Sequence, residues 1–203
     1  MKLILSLLVL CSCLTSYSQS RSEINRLNSE SKIIGEIAYP MLYRFKTNEL
    51  ILNGAGIKKA FGYSCALYLE RPETNSETII DKDETMIMRM NLLSKKTSRK
   101  KMVEVFKENL TEANTVTFIQ ELGPEIELFL EYVEELYLHI GDTLDVVYEP
   151  YKGTSIYVNY EKKGTISGFD FKKAIFNVWL SQKPIDKDLK VELLDGAKGY
   201  AFY

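Results

Sequence analysis

Residues 143–180 read TLDVVYEPYKGTSIYVNYEKKGTISGFDFKKAIFNVWL, and their order decides the fold class. Thr143 to Tyr148, Thr154 to Tyr160 and Thr165-Ile166 are rich in β-branched and aromatic residues, which suit a pleated, half-buried surface. Pro150-Tyr151-Lys152-Gly153 and Lys162-Lys163-Gly164 punctuate them as turns. Then the period changes. Phe171, Ala174, Ile175, Val178 and Trp179 fall on one face of a helix that starts from Asp170 as N-cap and is bounded by Pro184.

Upstream, Met102, Val103, Phe106 and Leu110 predict a helix from about Ser98 to Leu110. A second begins at Pro124 and carries Ile126, Phe129, Leu130, Val133, Leu136 and Tyr137 as its apolar stripe. Before these, residues 33–70 read mainly as strands, broken at Asn53-Gly54-Ala55-Gly56, and 71–76 read as a loop. Met86, Met88, Met90 and Leu92 alternate as in a half-buried strand. A last short helix is expected at about 187–194, ending at Gly196. Strands, then helices, then hairpins, then helices is the order of an α+β domain with an antiparallel sheet.

The chain opens with Met1-Lys2 and the apolar run Leu3 to Leu10. One positive charge before such a run is the pattern of a secretory signal peptide. The run gives way to polar residues by residue 14, short of the roughly 20 needed to span a bilayer. Ser16-Tyr17-Ser18 favours cleavage before Gln19, so residues 1–18 are expected to be removed on export to the periplasm or medium. In a second reading Leu10-Cys11-Ser12-Cys13 is a lipobox and Cys13 the acylated residue. Residues 19–32 form a polar leader and 33–203 one domain. Cys65 is then the sole cysteine of the mature chain, which has no disulfide to form and relies on its core.

The chain holds 26 Lys and Arg against 28 Asp and Glu, a balance that argues against nucleic acid as the main partner. No metal or cofactor constellation is expected. His139 is the lone histidine and reads as structural, and no Walker loop or nucleophile elbow occurs. Glu127, Glu131, Glu134 and Glu135 read as a solvated helix face. Lys95, Lys96, Arg99, Lys100 and Lys101 crowd a helix start, where positive charge opposes the dipole unless an anion lies nearby. An anionic membrane surface, a phosphate or a carboxylate would fit there.

Three stretches together resemble the chalcone-isomerase-like family, in particular its bacterial branch. They are Leu52 to Lys59 running on to Ala66-Leu67-Tyr68-Leu69-Glu70; Gly153 to Asn159 with Gly164 to Phe171; and Ala174 to Leu180 with Lys183 to Lys190. The resemblance implies an open-faced β-sandwich, a large antiparallel sheet covered by helices. The plant enzymes close a flavonoid ring with an arginine that stabilises the attacking oxygen and with a threonine and a tyrosine that help polarise the carbonyl. The arginine position falls here on Lys58, the threonine position near Tyr63 and the tyrosine position near Thr97. The two specificity positions fall on Val178 and Trp179.

With these polar groups changed, the resemblance leans away from catalysis. Other family members resemble fatty-acid-binding proteins, which hold a carboxylate with the same arginine. The expectation is therefore a small apolar ligand such as a fatty acid, with Lys58 as cation, Tyr63 or Thr97 as hydrogen-bond partner, and Met86, Met88, Met90 and Trp179 as wall. The alternatives are an intramolecular lyase or isomerase, and a scaffold without ligand.

Overall fold

Seven strands form an antiparallel meander in which each pairs with its neighbours in sequence: β3 (Leu42–Phe45), β4 (Asn48–Lys58), β5 (Tyr63–Leu69), β6 (Met86–Leu92), β7 (Thr143–Glu149), β8 (Gly153–Val158) and β9 (Glu161–Ile166). A separate hairpin, β1 (Ser31–Ile34) with β2 (Ile37–Pro40), precedes them. The helices are α1 (Ser76–Asp81), α2 (Arg99–Ala113), α3 (Val116–Glu121), α4 (Gly123–Glu135), α5 (Phe169–Leu180) and α6 (Lys187–Asp195). This computed structural model describes residues 30–58, 62–94 and 99–196. The expected signal peptide (1–18) and residues 19–29 of the leader lie outside them.

Alternation along the strands builds two cores. Cys65, Leu67 and Leu69 of β5, Met86, Met88 and Met90 of β6, and Leu144 and Val146 of β7 face the helices and pack with Phe129, Phe171, Ile175 and Trp179. Ala66, Tyr68, Ile87 and Val147 face the other way, with Tyr39, Leu50 and Leu52. The half-buried strand expected at Met86–Leu92 is therefore covered on both faces as far as Met90. On the second face the guanidinium of Arg89 donates to Asp145 at 2.8 and 2.7 Å and to Tyr43 Oη at 2.8 Å. The rings of Tyr43 and Tyr160 lie 4.3 and 5.1 Å from it. Burial opposes the charge on Arg89, but Asp145 outweighs it and holds the pKa above the usual arginine range.

Four local readings are corrected. The first concerns Asn53-Gly54-Ala55-Gly56, which does not break the strand: β4 runs through it, with a bulge between Leu52 and Gly54. Its glycines make room for α6. A Cβ on Gly54 would stand 2.3 Å from the carbonyl oxygen of Glu192, and one on Gly56 would stand 1.8 Å from a Glu192 carboxylate oxygen. The second concerns residues 71–76, whose end belongs to α1, with the Asn75 side chain accepting from the N–H groups of Glu77 and Thr78. The third is the turn placed at Lys162-Lys163-Gly164, which lies inside β9; the chain reverses at Asn159-Tyr160, both at positive φ. The fourth is Asp170, which sits in the first turn of α5, whose N-cap is Gly168.

The buried Lys172 of α5 reaches the C-terminal end of α1. Its ammonium donates to the carbonyls of Ile79, Ile80 and Lys82 at 3.1, 2.6 and 2.8 Å, satisfying oxygens that a helix end leaves open. Desolvation lowers its pKa to about 8.

Candidate functional site

The sheet brings two expected site residues together by register. Lys58 closes β4, Tyr63 opens β5, and the two are paired directly. Tyr63 also faces Leu92 of β6 and packs against the helix-side core. Trp179 and Val178 reach the same end from α5, both buried. The Val178 carbonyl accepts the Ile185 N–H at 2.8 Å, which seats the α5–α6 connection beside Lys58. Thr97, with Lys95 and Lys96, lies outside the described residues. Arg99, Lys100 and Lys101 open α2, and Lys101 pairs with Glu104 at 3.5 Å.

Lys58 is largely buried. Its ammonium donates to Asp186 Oδ2 at 2.6 Å and to the Ile185 carbonyl at 3.1 Å. The other oxygen of Asp186 accepts the Leu189 N–H at 2.9 Å and so caps α6. Lys58 holds the Asp186 carboxyl below its ordinary range, and the capping N–H adds to this against some desolvation. Asp186 was not legible as a site residue. Its only signal is an N-cap aspartate before Leu189, which says nothing about Lys58.

Burial raises the pKa of the Tyr63 phenol, and Asp186 adds to the rise, while the indole of Trp179 pulls the other way. The phenol is a hydrogen-bonding group at neutral pH and a poor source of phenolate. Among the described residues, Ser94 Oγ is buried with no hydrogen-bond partner, and Trp179 Nε1, which makes no hydrogen bond of ordinary geometry, has the Tyr63 phenol as its polar neighbour. Ser94 belongs to the same corner: its N–H donates to the Gly62 carbonyl at 3.1 Å. Gly62 has φ +70°, and a Cβ there would meet Ser94 Oγ at 2.0 Å. A second buried hydroxyl without partner, Thr154 Oγ1, lies at the other end of the sheet. An unsatisfied buried hydroxyl costs about 1–3 kcal/mol, so Ser94 Oγ beside the Tyr63–Trp179 pair makes this corner receptive to an acceptor atom.

Apolar surface adjoins this corner. Phe106 of α2 stands edge-on to Trp179 with centroids 6.3 Å apart, and to Phe129 at 5.5 Å. Met102, Val103 and Phe106 are only partly buried, and α2 packs chiefly against α4 and α5. The methionines of β6 run along the core floor, where the Cys65 thiol lies 3.0 Å from the Met88 sulfur. Burial pushes that thiol well up from its ordinary pKa, which leaves it a poor nucleophile.

The remaining candidates lie apart. His139 is exposed at the corner before β7, its backbone N–H bonded to Asp142. Glu127, Glu131, Glu134 and Glu135 are exposed on α4. No three His, Cys, Asp or Glu side chains among the described residues are grouped to hold a metal ion.

A seven-stranded antiparallel sheet with helices across one face, and a lysine–tyrosine pair at one end under a buried tryptophan, defines an open-faced α+β sandwich. The chain belongs to the chalcone isomerase-like family, whose sequence profile matches residues 31–195. Its fold is similar to that of an Arabidopsis thaliana fatty-acid binding protein, with a TM-score of 0.65 at 16% identity over 86% of this chain and 100% of that one. No curated protein matches it.

Proposed function

We propose that the protein is a non-catalytic binder of a small apolar carboxylate, such as a fatty acid, and that it works after export. The observation that carries this reading is the convergence of Lys58, Tyr63 and Trp179 Nε1 at one corner of the sheet, together with the buried, unpartnered Ser94 Oγ. A carboxylate is an acceptor with about four lone-pair sites, able to take an indole N–H, a hydroxyl and a phenol while a lysine balances its charge. The hydrocarbon tail would pass under Met102, Val103 and Phe106 of α2, whose apolar side chains are only partly buried. The similar fold of a protein described as a fatty-acid binding protein supports this kind of ligand.

Several features favour binding over isomerisation. Lys58 lacks the planar two-pronged donor of an arginine. Tyr63 is held neutral, and the thiol of Cys65 is buried. The export half of the reading rests on Lys2 and the apolar run to Leu10, with Cys13 as the alternative lipid anchor.

Native mass spectrometry of the chain purified from a bacterial host, followed by denaturation, tests both halves. The expected result is a mature chain starting at Gln19 that carries a fatty acid, with occupancy lost in Lys58→Ala. A chain that arrives empty and shows no thermal shift with added fatty acids refutes the binding reading. An intact Met1 on protein recovered from the cytoplasm refutes export.

A further inference from the structure

The carboxylate of Asp186 occupies the ammonium of Lys58 at 2.6 Å, in the geometry a ligand carboxylate would take. Asp186 is not free to swing away at will. Its Oδ1 is committed to the Leu189 N–H, and the backbone before it is held by the Ile185 N–H to the Val178 carbonyl. The same α5–α6 connection is thus tied to α5 one residue before Trp179, and to Lys58 through both Asp186 and the Ile185 carbonyl. An incoming anion at this corner meets a lysine whose charge is already balanced, beside a fixed negative charge.

We infer that Asp186 is a built-in competitor for the head-group site, so that it sets how tightly the protein holds an anionic ligand and makes that grip weak enough to reverse. The inference rests on the carboxylate-binding reading above and adds a residue that controls it. The competitor sits on a helix cap, so releasing Lys58 from it need not unfold α6: the oxygen that caps Leu189 is not the oxygen that pairs with Lys58. The depressed pKa of Asp186 agrees with a carboxylate that stays charged at neutral pH and remains in competition. Removing its charge would take the Asp186 anion away from the Lys58 ammonium while the bond to the Ile185 carbonyl stays.

The test is Asp186→Asn, with Asp186→Ser beside it. Both residues are good N-caps, so the bond to Leu189 and the fold are retained while the charge goes. Binding of dodecanoate and of dodecanol is followed through the fluorescence of Trp179, the only tryptophan. Both variants are expected to bind dodecanoate about two- to fivefold more tightly than the wild type, the scale of one partly exposed ion pair released, with dodecanol affinity unchanged. Wild-type binding with no gain for dodecanoate in either variant overturns the competitor while leaving the ligand reading intact. A gain shared equally by dodecanol also overturns it, because the effect would then be on access and not on charge. No binding of dodecanoate by wild type or variants overturns the ligand reading and the competitor with it.

Discussion

Replacing Lys172 with methionine changes one property that can be calculated in advance, the dependence of stability on pH. In the folded chain desolvation brings the Lys172 pKa down from its ordinary value of 10.5 to about 8. The folded protein therefore sheds this proton near pH 8, while the unfolded chain keeps it until about pH 10.5. Between those values the unfolded state binds more protons, so stability rises with pH; the contribution is fully present above 10.5 and is lost as pH falls through 8. Integrated to pH 10, it amounts to about 2–3 kcal/mol relative to pH 7. Tyr39, Tyr63, Tyr68 and Tyr148, whose phenols are raised by burial, act in the opposite sense above pH 10, so the useful window ends there. Urea denaturation at pH 7, 8, 9 and 10 on wild type and Lys172→Met removes what the two share. The wild type should gain about 2–3 kcal/mol on the variant across the series, whatever their offset at pH 7. Parallel curves would show that the three carbonyls of α1 stabilise the ammonium enough to cancel its desolvation, and would refute the reasoning.

Two more predictions concern packing. Gly54→Ala places a methyl 2.3 Å from the Glu192 carbonyl, so α6 must move; thermal or chemical unfolding should show a loss of about 1–3 kcal/mol, with weaker ligand binding because Asp186 and Lys58 move with the helix. Arg89→Met leaves Asp145 buried beside Tyr43 with its ion-pair partner gone, and should cost about 3–5 kcal/mol in urea denaturation, whereas Arg89→Met with Asp145→Leu should recover most of it.

What could be read from residues alone follows the reach of each signal. The α5 stripe of Phe171, Ala174, Ile175, Val178 and Trp179 is a local period, and all five residues are buried. Helices α1 and α3 span six residues each, too few for a stripe to declare itself, so neither was expected; the N-caps Asn75 and Thr115 are visible as caps only in the structure. The glycines of β4 read as a break because nothing nearby in sequence reveals α6, more than a hundred residues later, lying on top of them. Lys162-Lys163-Gly164 looked like a turn by composition; the reversal falls instead at Asn159-Tyr160, where the Tyr160 ring lies over Arg89, a partner far from it in sequence.

The site divides the same way. Lys58, Tyr63, Val178 and Trp179 were reached by resemblance, and the structure gathers them at one end of the sheet. That Lys58 is engaged by Asp186, that the Trp179 indole faces the Tyr63 phenol, and that the Ser94 hydroxyl is left without a partner are facts of packing between elements; no spacing encodes them.

The meander also says how such a chain is expected to assemble. Along β3 to β6, and again along β7 to β9, every pairing joins consecutive strands, so two blocks of sheet can zip from hairpins at low loop-closure cost. Only the β6–β7 seam spans the segment that carries α2, α3 and α4. Closing that loop is the slow entropic step, and Arg89 with Asp145 lies across it as a registered pair. The polar contact buried in the second face would then act late in folding, selecting the one alignment of the two blocks in which neither charge is left without its partner.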